Sequence, residues 1–145
     1  RDGTAKMSKS DPSDNSRLNL LDDEDAIAQK VRKAKTDPEP LPDTFDELKG
    51  RPEAENLIGI YAALEGRTSA EVLAEFAGQG FGQSFKPKLA DLAVARLGPV
   101  GAEMRRLMAE PGEIDAVLAK GAERARAAAA PTLAQVRAKV GFWGA

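Results

Sequence analysis

Apolar residues in this chain recur every third or fourth position, in blocks closed off by glycine or proline, and nowhere do they alternate over a convincing length. That spacing lines one face of an α-helix, whereas a half-buried strand needs alternation, so the pattern predicts an all-α chain. The first block opens on Asp22 or Asp23 as N-cap, carries Glu24 and Asp25 in its first turn, and ends in Lys30, Arg32, Lys33 and Lys35. Acids at the start and bases at the end complement the helix dipole. Its stripe is Ala26, Ile27, Val31 and Ala34, and Thr36-Asp37-Pro38 stops it, because the residue before proline is pushed out of the α region.

Residues 37–52 hold four of the nine prolines and read as an extended connector with a short turn around Phe45 and Leu48. A second helix begins near Pro52, aligns Leu57, Ile58, Tyr61 and Leu64, and ends at Gly66. Thr68 and Glu71 form a capping box for a third helix through Val72, Leu73 and Phe76, closed by Gly78. Gly78-Gln79-Gly80-Phe81-Gly82 reads as a turn with Phe81 either exposed or docked. A long helix from about Lys88 carries Leu89, Leu92, Ala93, Leu97, Val100, Met104, Leu107 and Met108 on one face, with a kink expected at Gly98-Pro99. After Pro111-Gly112 a last helical region carries Ile114, Val117, Leu118, Ala122 and Ala125, and Pro131 is expected to break or bend it before Leu133, Val136 and Val140. The architecture this predicts is an antiparallel helical bundle with short connections. Tyr61, Phe76 and Met104 sit on its apolar faces and read as core.

A chain of 145 residues with 42% hydrophobic content is long enough to bury a real core. Cysteine and histidine are both absent, so disulfides, thiolate or imidazole metal ligands and a Ser-His-Asp triad within this chain are excluded, and no metal site is expected. No run of about 18 apolar residues occurs, so no membrane span is expected and the expected location is cytoplasmic. The net charge of −2 conceals acidic and basic blocks, and a weakly acidic chain still binds nucleic acid where one face is basic. The opening Arg1-Asp2-Gly3 reads as a cut in a longer protein.

Residues 1–17 offer almost no apolar side chain besides Met7 and read as a mobile loop. Within it, Lys6-Met7-Ser8-Lys9-Ser10 places two lysines among small polar residues directly before Asp11-Pro12. Chemistry suited to such a loop involves phosphate. When a carboxylate attacks the α-phosphorus of ATP, negative charge builds on the leaving pyrophosphate, and mobile ammonium groups follow that charge into the transition state. A loop also closes over a nucleotide and opens for release. Neither G-x-x-x-x-G-K-[ST] nor G-x-G-x-x-G is present, so the known glycine-rich phosphate loops are not the device.

That pentapeptide, the KMSKS signature, resembles the loop of class I aminoacyl-tRNA synthetases. The flanking Asp2-Gly3-Thr4, Ser10-Asp11-Pro12, Leu20-Leu21-Asp22-Asp23, Asn56-Leu57, Ile60-Tyr61, Gly80-Phe81-Gly82 and Phe85-Lys86 narrow the resemblance to the C-terminal portion of bacterial tryptophanyl-tRNA synthetases. The resemblance implies that residues 1–21 are the signature loop and the end of an α/β Rossmann catalytic domain otherwise missing from this chain. Residues 22–145 would be a helical domain that recognises the tRNA anticodon. It implies tryptophan activation with ATP and Mg2+, transfer to tRNA-Trp, and a homodimer when full-length. Lys6 and Lys9 would be the catalytic lysines, with Met7, Ser8 and Ser10 completing the ATP-binding loop. Because the tryptophan pocket is absent, this portion alone is expected to be inactive.

For the tRNA, the basic candidates are Lys30, Lys33 and Lys35 with Arg32, Arg105 with Arg106, and Arg124 with Arg126. Against these stands the plain reading that such residues cap helix dipoles or face solvent. Phe81 and Trp143 are open to docking on the core or on a partner. The alternatives are a tyrosyl-type synthetase and a non-catalytic helical tRNA-binding or scaffold module.

Overall fold

The computed structural model describes residues 8–141, and every regular element among them is helical. The chain divides into two compact units, Arg1–Met104 and Arg105–Ala145, with the division falling inside one helix.

In the first unit, α1 (Glu24–Arg32) starts where expected: the Asp23 carboxylate accepts the backbone N–H of Ala26 at 2.8 Å. It ends earlier than its run of lysines, because the Lys33 and Ala34 amides turn back onto Gln29 and Val31, which leaves Lys35 outside the helix. The inward face is Ile27, Lys30 and Val31. After it, the proline-rich connector is more than a spacer. Leu41 is buried and its backbone exchanges two hydrogen bonds with the segment after α3, Leu41 N–H to the Gln79 carbonyl and Gly78 N–H to the Leu41 carbonyl. A 3-10 turn, Phe45–Leu48, held by a Thr44–Glu47 capping box, then inserts Leu48 into the core.

Helix α2 (Pro52–Glu65) has proline at its first position and closes on Gly66, whose φ of 73° needs a residue without a β-carbon. Helix α3 (Ser69–Phe76) follows at once, its capping box formed by Thr68 and Glu71 as expected. The glycine-rich stretch after it is where the structure departs from the sequence reading. Residues Phe81–Phe85 wind as one π turn, with the Lys86 N–H donating to the Phe81 carbonyl, and lead directly into α4 (Lys86–Ala109). Phe81 is docked, 5% exposed. The wide turn brings Phe81 and Phe85 inward together. Phe85 meets Phe81 edge-on at 5.8 Å and Phe76 at 5.0 Å, and Phe76 meets Tyr61 at 5.3 Å, so the core of this unit is organised by edge-to-face aromatics. Met104, expected in that core, is only half-buried.

Pro99 does not end α4, which runs on to Ala109. The second unit holds the end of that helix and α5 (Pro111–Val140), which likewise continues through Pro131. The expected break does not occur: a proline costs one backbone bond, and the alanines of 127–130 are the strongest helix formers available to carry the run across it. No residue of α5 is buried. Its apolar stripe is present at helical spacing, with Val117, Leu118, Leu133, Val136 and Val140 all exposed.

Candidate phosphate-binding loop and its anchorage

Lys6 and Met7 lie outside the described residues; Ser8, Lys9 and Ser10 are described, and all three are exposed. They form a tight turn with Lys9 at its apex. The Ser10 N–H donates to Ser8 Oγ at 3.2 Å, and the Asp11 N–H donates to the Ser8 carbonyl at 3.2 Å, so the Ser8 side chain is used to hold the turn. The turn thus presents an ammonium and a hydroxyl to solvent, a donor set that suits anionic phosphate oxygens and not a cation. Among the described residues no group of three or more Asp, Glu, His or Cys is placed to hold a metal ion.

The polypeptide leaving this turn is held by a series of hydrogen bonds and ion pairs. Asp11 Oδ1 accepts the Ser13 N–H at 2.7 Å, and Arg17 donates to the Asp11 carbonyl at 3.0 Å. Arg17 also reaches Asn19 Oδ1 and lies 3.3 Å from Asp14. Asn19 donates through its amide side chain to Asp14 at 2.9 Å and through its backbone to Asp22 at 2.8 Å. At the centre stands Lys30 of α1, with Nζ 2.6 Å from both Asp14 Oδ2 and Asp22 Oδ2.

Lys30 is 8% exposed. Burial by itself would lower its pKa, but hydrogen bonds to Asp14 and Asp22 outweigh that and hold it above the ordinary lysine value. Asp22 is the mirror case: burial would raise it, and the Lys30 and Asn19 hydrogen bonds bring it below the ordinary carboxylate value. Asp14 is lowered chiefly by its hydrogen bond from Lys30. Lys30, a candidate for tRNA phosphate, thus has its ammonium paired with two carboxylates of its own chain. The sequence held a signal for this, since position 30 lies three residues from Ile27 and beside Val31, on the buried face.

The other basic candidates stand apart from one another in kind. Lys33 is exposed and donates to Gln29 at 3.3 Å; Lys35 is exposed and pairs with Glu53 at 2.8 Å. Arg105 and Arg106 belong to the second unit, where Arg106 forks onto both oxygens of Glu113 at 2.8 Å. Lys86 carries part of the family resemblance, but its structural role was not read from the sequence. Its Nζ donates to the Ala34 carbonyl at 2.7 Å, which pins the start of α4 to the end of the α1 segment, and burial pushes its pKa down. Between these elements lies a cleft of about 130 Å³, floored by Val31, Leu57 and Leu89 and edged by Arg17, Glu53 and Asn56.

The sequence is 67% identical to a tryptophan–tRNA ligase of Caulobacter vibrioides over 145 residues, which is all of this chain and 42% of that protein. It is 63% identical to that of Rhizobium meliloti over 142 residues, 98% of this chain and 40% of the relative. It is 46% identical to that of Thermosynechococcus vestitus over 142 residues, 97% of this chain and 42% of the relative. The chain thus spans about two fifths of the length of these relatives. Residues 1–98 match the family described as tRNA synthetases class I (W and Y), and with the signature loop, the all-helical fold and this similarity in agreement, the chain belongs to that family.

Proposed function

We propose that this chain is the signature-loop and helical portion of a tryptophan–tRNA ligase, which activates tryptophan with ATP and transfers it to tRNA-Trp in the cytoplasm. The observation that carries the reading is the exposed Ser8-Lys9-Ser10 turn, set in a chain similar over its whole length to tryptophan–tRNA ligases. In this reading the tryptophan carboxylate attacks the α-phosphorus of ATP, which enters with its Mg2+, and pyrophosphate leaves. Lys9, with Lys6, neutralises the charge that builds on the leaving oxygens, and the Ser8 and Ser10 donors orient them. Ser8 through its turn sets where the Lys9 ammonium starts; closure of the loop brings it to the phosphates.

Residues 1–21 then act as the loop and the end of the catalytic domain, and residues 22–145 as the tRNA-recognition domain. Lys33 and Lys35, and separately Arg105 and Arg106, are its candidate phosphate contacts. The tryptophan pocket and the homodimer contacts belong to the remainder of the relatives' length, so this portion by itself forms no adenylate. The test is amino-acid-dependent ATP–pyrophosphate exchange by the complete reading frame, with tryptophan and tyrosine in parallel. Exchange with tryptophan alone is expected; exchange with tyrosine, or with neither, overturns the proposal. The isolated portion is expected to give none.

A further inference from the structure

A lysine ammonium is rarely buried unless paired, because removing it from water costs several kcal/mol that only close, well-formed ion pairs offset. Lys30 is such a lysine. It sits on α1, outside the loop, yet both of its partners, Asp14 and Asp22, belong to the segment that carries the loop into the helical unit. From Asp14 the connection continues through Arg17 to the Asp11 carbonyl, and from the Asp11 N–H to the Ser8 carbonyl. Every link is a hydrogen bond or ion pair of ordinary length. The result is a hydrogen-bonded foot, residues 11–22, next to an exposed turn.

We infer that Lys30 is a positioning residue for the signature loop: by clamping Asp14 and Asp22 it holds the foot of the loop on α1, so that Lys9 starts each closure from a fixed place. The inference rests on the reading of Lys9 as a phosphate-binding group. Misplacing a catalytic group by about 1 Å costs on the order of 10²-fold in rate, so a loosened foot affects turnover and leaves binding of the amino acid alone. Without the ammonium, two carboxylates also face each other, and the segment opens to separate them.

The experiment uses the complete reading frame with Lys30→Met, Lys30→Arg and Asp14→Asn, beside Lys9→Ala as reference. Asp14 is 59% exposed on its side chain, so its variant removes half of the clamp without touching the core. Two quantities are read: kcat and KM in tryptophan-dependent ATP–pyrophosphate exchange, and amide hydrogen exchange in residues 11–22 against α2 and α3. Lys30→Met is expected to lower kcat about 10- to 100-fold with KM for tryptophan unchanged. Amide protection in residues 11–22 falls while α2 and α3 keep theirs, Asp14→Asn does the same to a smaller degree, and Lys30→Arg recovers part of the rate. Unchanged kcat and protection in Lys30→Met and Asp14→Asn overturn the proposal, as does loss of protection spread evenly over all helices. A silent Lys9→Ala overturns the catalytic reading of the loop itself, and the role assigned to Lys30 in turnover falls with it.

Discussion

Arg51 grips Asp37 with two parallel hydrogen bonds, Nε to Oδ2 at 3.0 Å and Nη2 to Oδ1 at 2.5 Å, while its remaining donors reach the Pro40 and Glu39 carbonyls. The guanidinium also lies 5.9 Å from the Phe81 ring. One side chain at the threshold of α2 therefore fixes the course of the proline connector and covers the π turn.

Asp37 is held below the ordinary carboxylate value by its hydrogen bond from Arg51. Because the folded-state pKa is the lower one, the stabilisation is complete above the unfolded value of about 3.9 and is lost as pH falls through the folded value. Asp37→Asn is expected to cost about 1–3 kcal/mol at neutral pH, measured by denaturant melts, with the difference from the parent shrinking below about pH 4. A difference that is constant with pH contradicts the pair.

At the loop, Lys9→Ala is expected to lower kcat for tryptophan-dependent pyrophosphate exchange by about 10²-fold or more, and Ser10→Ala by less, as fits a charge lost against a hydroxyl lost. Equal effects of the two changes would speak for a loss of turn structure instead.

In the core, Phe76→Ala is expected to destabilise by about 3–5 kcal/mol, because Phe76 is fully buried and its cavity is walled by rings that cannot collapse freely. A double-mutant cycle of Phe76 and Phe85 is expected to show coupling of about 0.5–1.5 kcal/mol for their edge-to-face contact. Additive losses would place the stability in burial alone.

The cap between α2 and α3 offers a smaller, cleaner change. Thr68 accepts the Glu71 N–H and its own N–H is bonded by Glu71. Thr68→Ala is expected to cost about 1 kcal/mol without affecting exchange activity, read by melting and kinetics on one preparation.

For tRNA, Lys33→Gln is expected to weaken binding and to reduce the slope of log affinity against log salt by about 0.7–0.9, the contribution of one phosphate contact. An unchanged slope assigns Lys33 to capping the α1 dipole.

Much of this fold was legible because local signals agreed. Asp23, Gly66 and the Thr68–Glu71 box each act within a single turn, so their outcome depends on neighbours already visible in the chain. Ser8, Lys9 and Ser10 are exposed, as a stretch with so few apolar side chains predicts. Of the break or bend expected at Pro131, the break does not occur, because a long run of alanine on its N-terminal side carries the helix across it. Leu41 escaped, and the choice between an exposed and a docked Phe81 stayed open, because docking depends on partners elsewhere in the chain.

By itself, the order of residues determined which segments are helices and where most of them begin, since both follow from interactions spanning a few residues. Only the tertiary structure decided that Lys30 turns inward to two carboxylates and that Lys86 ties α4 to Ala34. A lysine at a helix end looks the same in sequence whether it meets water, phosphate or a buried aspartate. The choice is made by which surfaces the fold brings against it, and those come from elsewhere in the chain.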